Sequence, residues 1–185
     1  MTGEIKKVFK IIPAWQDDRE EQWLERQAAA GWHLQEVFPF IYKFKRGVPA
    51  SVIYRLDYKL NVDKDYQEYQ EIFKSCGWEL VTTMANWHYY RIAPENTAIP
   101  EIYSNNYSRA QKYRRLLMGI LPVFVIFIVA LSPTRNRDLL TTGSGWLGTW
   151  LGIAGLLQVI ILVFFVYAIV KIVLKIRKLE SEPRE

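Results

Sequence analysis

Residues 146–170 read WLGTWLGIAGLLQVIILVFFVYAIV, a run of 25 residues without a charged side chain. A helix needs about 20 apolar residues to cross the roughly 30 Å hydrocarbon core of a bilayer, and it satisfies its backbone polar groups internally. This segment therefore predicts a transmembrane helix. A second uncharged stretch, residues 116–132, is 17 residues long and contains Pro122. It predicts a shorter span, so that the two segments form a membrane hairpin.

The basic residues near this hairpin predict its orientation. Four cations precede the first span and four follow the second, whereas the loop between them, residues 133–145, has two. Because cytoplasmic flanks carry the excess of Lys and Arg, we expect a multi-pass membrane protein with both termini in the cytoplasm. The flanking cations are Arg109, Lys112, Arg114, Arg115, Lys171, Lys175, Arg177 and Lys178.

The two parts of the chain differ in charge. Residues 1–100 carry 13 Lys and Arg against 14 Asp and Glu, whereas residues 101–185 carry 11 against 5. The first part therefore lacks the basic excess typical of a nucleic-acid-binding domain. We expect the lipid bilayer as a partner and no nucleic acid. The single cysteine, Cys76, excludes an intrachain disulfide and fits a reducing compartment.

Residues 1–93 show a strand–helix–strand–strand pattern that occurs twice. Gly31-Trp32-His33-Leu34 recurs as Gly77-Trp78-Glu79-Leu80, 46 residues later, and the same offset places Val8 on Tyr54. The pattern predicts one duplicated α+β domain, with a mostly antiparallel sheet and two helices on one face. The predicted strands are residues 8–12, 34–38, 40–44, 52–58, 79–83 and 87–92, and the helices are a segment that Gly31 ends and residues 63–76.

The rest of the chain divides by composition. Residues 94–106 contain two prolines and predict a linker. Residues 107–178 hold a basic juxtamembrane segment, interpreted as a short surface helix over 107–115, and the hairpin. Residues 179–185 predict a charged tail.

Several motifs in the first part together resemble a known family. These are W-L-x-x-x-A-x-x-G-W-x-L from Trp23, Y-K-F from Tyr42, Y-R-L-D-Y from Tyr54 and G-W-E-L from Gly77. Over about residues 5–92 the chain resembles the bacterial domain of unknown function 2812 family (DUF2812). Its members are typically followed by hydrophobic segments and often occur beside PadR-like transcriptional regulators in Gram-positive bacteria. The resemblance implies a location in the bacterial (inner or plasma) cell membrane and a regulatory context, and it supplies no catalytic residue.

No residue pattern points to catalysis or to a metal. His33, His88 and Cys76 are too few for a zinc site, which needs three or four close ligands. Cys76 ends the apolar face of the second helix and is expected to be a buried small hydrophobe. We expect no cofactor, no metal and no enzymatic activity. The acidic start of the first helix is interpreted as a cap and a solvated first turn, formed by Asp17, Asp18, Glu20 and Glu21.

The aromatic residues leave two interpretations open. Trp32 and Trp78 follow helix-ending glycines, and we interpret them as core residues that cover the helix ends. The surplus of aromatic side chains also fits a groove for a ligand or a peptide. Trp15 and Trp87 lie beside turns, so we expect these two to be exposed and to line such a surface.

Small residues in the second span predict close helix packing. Gly148 and Gly152 form a GxxxG motif, and Gly155 is nearby. They either join the two spans of one chain or form a homodimer. The chain as a whole predicts a membrane-anchored cytoplasmic module that binds a protein or a small molecule. The alternative is an accessory subunit of a membrane transporter or signalling complex.

Overall fold

The computed structural model describes residues 3–61, 63–93, 103, 106–130 and 146–181. The chain separates into two units, one that ends at Lys112 and one that begins at Tyr113. Among its described residues, the first unit contains six strands, two α-helices and the start of a third helix. These elements are β1 Ile5–Phe9, α1 Asp17–Ala29, β2 Trp32–Phe38, β3 Ile41–Arg46, β4 Ile53–Tyr58, α2 Tyr66–Ser75, β5 Glu79–Met84, β6 Trp87–Ile92 and α3 Asn106–Ala130.

The first unit is an α+β domain with two sheets. Each sheet has three antiparallel strands, in the orders β1-β3-β2 and β4-β6-β5, so the last strand of each copy is central. The prediction of a single sheet is wrong. β2 and β5 each contain a bulge, between Leu34 and Glu36 and between Leu80 and Thr82, at positions 46 residues apart. A bulge bends its strand and disrupts the hydrogen-bond ladder. This fits the position of β2 and β5 at the edges of their sheets, where they do not pair with each other in the described chain.

The two copies correspond at an offset of 46 residues, except in their first strands, where the offset is 49. Gly31 and Gly77 both end their helices at positive φ, +81° and +84°, where a glycine avoids the strain of a side chain. Lys45 and Arg91 are 46 residues apart, yet their partners in the first strands, Ile5 and Tyr54, are 49 apart. The predicted match of Val8 with Tyr54 is therefore wrong by three residues. The cause is helix length, because α1 has 13 residues and α2 has 10.

Helix α1 packs against both sheets rather than on the face of one sheet. It lies next to β2 and along the free edge of β4. There the backbone N–H of Leu56 donates to Glu21 Oε1 at 2.8 Å, and the N–H of Tyr54 donates to Glu25 Oε1 at 3.3 Å. The helix carboxylates thus satisfy donors of an edge strand that has no neighbour on that side, which protects the edge from pairing with another chain.

The tryptophans that follow the helix-ending glycines differ in burial. Trp78 lies in a core cluster with Phe73 and Tyr90, as predicted. Trp32 is half-buried, with Lys6 Nζ 5.2 Å and the Arg46 guanidinium 4.8 Å from its ring centroid. The core interpretation therefore applies to the second copy, whereas Trp32 carries two cations on its ring.

In its described residues, the second unit contains the rest of α3 and a fourth helix, α4, Trp146–Ser181. Residues 107–115 belong to the continuous helix α3, so the separate short surface helix predicted there is wrong. By length and composition, one helix of the described residues, Gly155–Ser181, could cross a membrane, where two spans were predicted. The loop 133–145 and residues 131 and 132 of the first predicted span fall outside the described residues, as does most of the linker 94–106.

Contacts within the second unit show that α3 and α4 run antiparallel. Phe165 lies 5.7 Å from Phe124 and 6.0 Å from Phe127, measured between ring centroids. At the other end of the pair, Lys175 Nζ lies 4.7 Å from the ring of Tyr113. Arg114 also forms an ion pair with Glu180.

Candidate functional site

The first turn of α1 is buried, which corrects the interpretation of its acidic residues. Asp17, Glu20 and Glu21 are 1%, 6% and 7% exposed, and no side chain caps the helix, whose N-cap is Gln16. A buried carboxylate is costly unless it is paired or hydrogen-bonded. Each of these three side chains has such partners, which the sequence places far away along the chain.

Glu20 joins the two copies of the repeat. The hydroxyl of Tyr42 on β3 and that of Tyr89 on β6 both donate to Glu20 Oε1, at 2.8 and 2.9 Å. Burial raises the pKa of Glu20 above its ordinary value, although the two tyrosine hydrogen bonds oppose the shift. Burial and the nearby Glu20 carboxylate also raise the pKa of both tyrosines, so they remain hydroxyl donors.

A cavity of about 210 Å³ opens beside this carboxylate, and we call it the seam cavity. It lies where α1 meets β3 and β6, and most of its lining is apolar. Concave, largely apolar sites with a few polar groups are typical of small-molecule binding. The lining residues are Lys10, Ile12, Ala14, Asp17, Glu20, Val37, Phe38, Pro39, Phe40, Tyr42, Met84, Trp87 and Tyr89.

The structure places one of the two tryptophans expected to share an exposed surface in the lining of the seam cavity. Trp87 is only 8% exposed, so its expected exposure is wrong. It begins the central strand β6 and packs edge-to-face on Tyr58, with 5.5 Å between ring centroids. Trp87 nevertheless lines the seam cavity. Trp15 is half-buried in a 3-10 turn before α1 and is not part of that lining.

The equivalent position in the second copy has different chemistry. Tyr66 and His88 lie 46 residues after Glu20 and Tyr42, and Tyr66 Oη is 2.8 Å from His88 Nε2. Burial lowers the pKa of His88, which favours the neutral imidazole. The first copy therefore has a carboxylate, Glu20, at the helix position where the second copy has the phenol of Tyr66. A residue-by-residue alignment of the two copies shows this difference. It is the sequence signal that could have identified Glu20 as a candidate site residue.

A second charged cluster fixes the start of α3 to α1. Asp17 Oδ2 lies 2.6 Å from Lys112 Nζ, which also donates to the carbonyl oxygen of Leu56 at 2.9 Å. Burial alone would lower the pKa of Lys112, but the carboxylates of Asp17, Glu21 and Asp57 raise it above its ordinary value. Burial raises the pKa of Glu21 to about 7.

A polar cavity of about 370 Å³ adjoins this cluster. Its acids and bases pair with one another, as Arg55 does with Glu21 and Glu25 and Arg109 does with Asp18. We therefore assign this cluster to holding α3 in place, and we regard the seam cavity as the stronger binding candidate. The polar cavity is lined by Asp18, Glu21, Gln22, Glu25, Ile53, Arg55, Tyr103, Arg109 and Lys112.

The remaining candidate residues lie apart from both cavities. Cys76 is exposed, because α2 ends at Ser75 and leaves the cysteine outside the core, so its predicted burial is wrong. His33 Nε2 lies 2.8 Å from the carbonyl oxygen of Val48, in a different sheet from His88. The described residues contain no group of three or more His, Cys, Asp and Glu side chains placed to hold a metal ion.

The glycines of α4 are only partly described. A Cβ added to Gly155 would meet no heavy atom of the described residues within 4 Å. The environments of Gly148 and Gly152 fall outside the described residues, and their predicted role in helix packing stays a prediction.

Comparison with known proteins identifies one family. The sequence model described as "Protein of unknown function (DUF2812)" matches residues 16–126, which is more than half of the chain. The match includes both copies from the start of α1 and continues into α3. No curated protein and no solved structure matches this chain. The protein therefore belongs to the DUF2812 family of proteins of unknown function.

Proposed function

We propose that this protein is a membrane-anchored, non-enzymatic binding module with both termini in the cytoplasm. One observation carries the binding part of the proposal: the two copies enclose a seam cavity in which aromatic side chains surround the Glu20 carboxylate. A duplicated domain provides a binding site at the junction of its copies without a second chain. The regulatory role implied by the DUF2812 resemblance is part of this proposal.

The surface of the helix pair supports the membrane anchor. Large apolar side chains on both helices are exposed, among them Met118 and Ile126 on α3 and Val163 on α4. The buried positions Ala168, Ile172 and Ile176 recur every four residues and form one narrow stripe. Helices that expose apolar side chains on most of their surface fit a lipid environment, in which backbone groups are satisfied within each helix. We therefore propose that α3 and α4 form the transmembrane hairpin.

The single cysteine allows a direct test of the topology. Cys76 is exposed in the cytoplasmic part of the proposed arrangement, so a membrane-impermeant maleimide should label it in inside-out vesicles and not in right-side-out vesicles. The matched control is the double variant Cys76→Ser, Ser144→Cys, which places the only thiol in the loop 133–145. Its labelling should show the opposite preference. Equal labelling of both variants from the same side would contradict the hairpin.

The seam cavity can be tested by filling it. Ala14 lines the cavity, so Ala14→Phe should occupy the space and prevent a small aromatic molecule such as benzyl alcohol from binding. Ala50 is also half-buried but lies away from this cavity, and Ala50→Phe is the matched control. Binding is measured by isothermal titration calorimetry on the full chain in maltoside micelles. Unchanged binding in Ala14→Phe would place the ligand elsewhere.

The second candidate function is an accessory subunit whose spans pack on a larger membrane partner or on a second copy. It is favoured by Gly155, where an added Cβ would meet no heavy atom of the described residues within 4 Å, because small residues let another helix approach closely. Gly152→Leu and Gly155→Leu should then reduce the oligomer size in detergent or release the partner during purification. If both variants keep the wild-type assembly, this face of α4 is not an interface.

A further inference from the structure

We propose that the seam cavity selects small organic cations that carry an aromatic or compact apolar group. The inference rests on the proposed binding function of the cavity and names its ligand class. It is carried by two observations together: a carboxylate without a cationic partner in the described chain, and a lining with five aromatic side chains. Those side chains are Phe38, Phe40, Tyr42, Trp87 and Tyr89.

The first observation concerns the charges that face the cavity, which belong to Asp17, Glu20 and Lys10. The Asp17 carboxylate is paired with Lys112 at 2.6 Å. Lys10 Nζ lies over the ring of Trp23, 5.0 Å from its centroid. Within the described chain, no Lys or Arg nitrogen lies within 4.0 Å of a Glu20 oxygen. Glu20 is thus the carboxylate whose charge a ligand can compensate.

The hydrogen bonds of Glu20 leave one oxygen for a ligand. Both tyrosine hydroxyls donate to Oε1, and Oε2 accepts no hydrogen bond from the described residues. A buried carboxylate is stabilised most by a charge-assisted partner. An ammonium group next to Oε2 would supply that partner, whereas an anion would meet the charges of Glu20 and Asp17.

The second observation concerns the aromatic lining. A cation over an aromatic ring is attracted by the negative face of the ring, and the attraction is strongest where water is excluded. The same domain already places cations on rings, with Lys6 and Arg46 on Trp32. A cavity of about 210 Å³ has room for one ring with a small onium group. Rings and carboxylate together therefore favour an organic cation over a neutral or anionic molecule of the same size.

Three soluble probes of similar size test the charge preference: benzyltrimethylammonium, benzyl alcohol and benzenesulfonate. Titration calorimetry on the full chain in uncharged maltoside micelles should give at least tenfold tighter binding of the cation than of benzyl alcohol, and no binding of the sulfonate. Glu20→Gln keeps the shape of the side chain and should bring the cation to the affinity of the alcohol. Glu36→Gln removes the same charge from an exposed pair with Lys43 and should change nothing.

A measurement on the unmodified chain covers the case in which Glu20→Gln does not fold. Burial raises the pKa of Glu20 above its ordinary value, so lowering the pH from 8 to 4 protonates this carboxylate. The affinity for benzyltrimethylammonium should then fall severalfold, while that for benzyl alcohol stays constant. Equal affinity for the cation and the alcohol, or preference for the sulfonate, overturns the inference but leaves the binding module standing. If no probe binds, the proposed binding function of the cavity fails as well.

Discussion

The buried ion pair between Lys112 and Asp17 gives the sharpest prediction for stability. Lys112→Met keeps the length of the side chain but leaves the Asp17 carboxylate, 1% exposed, without its closest cation. It also removes the donor to the carbonyl oxygen of Leu56. Breaking a buried pair by removing one partner costs about 3–5 kcal/mol. We expect the free energy of unfolding of the first unit to fall by about 4 kcal/mol.

A matched control lies one turn earlier on the same helix. Arg109 is 3.7 Å from Asp18, and both side chains are largely exposed, so Arg109→Met should cost about 0–1 kcal/mol. Urea unfolding of the full chain in micelles, followed by near-ultraviolet circular dichroism, reports on the first unit because five of the seven tryptophans precede residue 93. The double variant Asp17→Asn, Lys112→Met should recover much of the loss, since it also removes the carboxylate that Lys112→Met leaves without its closest cation. Equal costs for the two single variants would refute the reasoning.

Two further predictions concern pH and backbone conformation. Because the pKa of Glu21 rises from 4.5 to about 7 on folding, the folded state binds the proton more tightly, and stability should decrease as the pH rises through this window. Glu21→Gln should remove this pH dependence, which amounts to on the order of 3 kcal/mol in the free energy of unfolding. Urea titrations at several pH values measure it, and parallel curves of stability against pH for variant and wild type would contradict the prediction. Gly31→Ala should lower the thermal midpoint more than Gly77→Ala. Both have positive φ, but a Cβ at Gly31 would lie 2.9 Å from the Gly47 carbonyl oxygen, whereas one at Gly77 would lie 3.4 Å from a flexible Ile92 side chain. Equal midpoints would show that the contact with Gly47 relaxes at no cost.

Local signals predicted the order of the elements well. Gly31 and Gly77 mark the helix ends, and the recurring Gly-Trp pair revealed two copies whose sheets have the same strand order. The family resemblance is confirmed by the match over residues 16–126. These features depend on residues close together in the chain, which is why the sequence alone was informative.

The predictions from sequence were wrong where residues distant in the chain determine the surroundings of a side chain. The acidic turn of α1 has the pattern of a solvated helix start, but Tyr42, Tyr89 and Lys112 supply partners from 22 to 95 positions further along the chain. The same holds for Trp87, which is next to a turn in sequence but lies on a central strand. Spacing and periodicity contain no information about such partners.

The unequal lengths of α1 and α2 also make the two copies different for the helix α3 that follows them. An exact duplication would offer two identical places for the helix that follows it, and the chain would have no reason to choose between them. The additional turn of α1 places Asp17 within the helix, where it holds Lys112. Its counterpart 46 residues later, Asp63, lies before the start of α2 and pairs with Lys59 at 3.2 Å. A three-residue difference thus makes one docking position unique, in the way that a single buried polar contact fixes the register of otherwise symmetric helices.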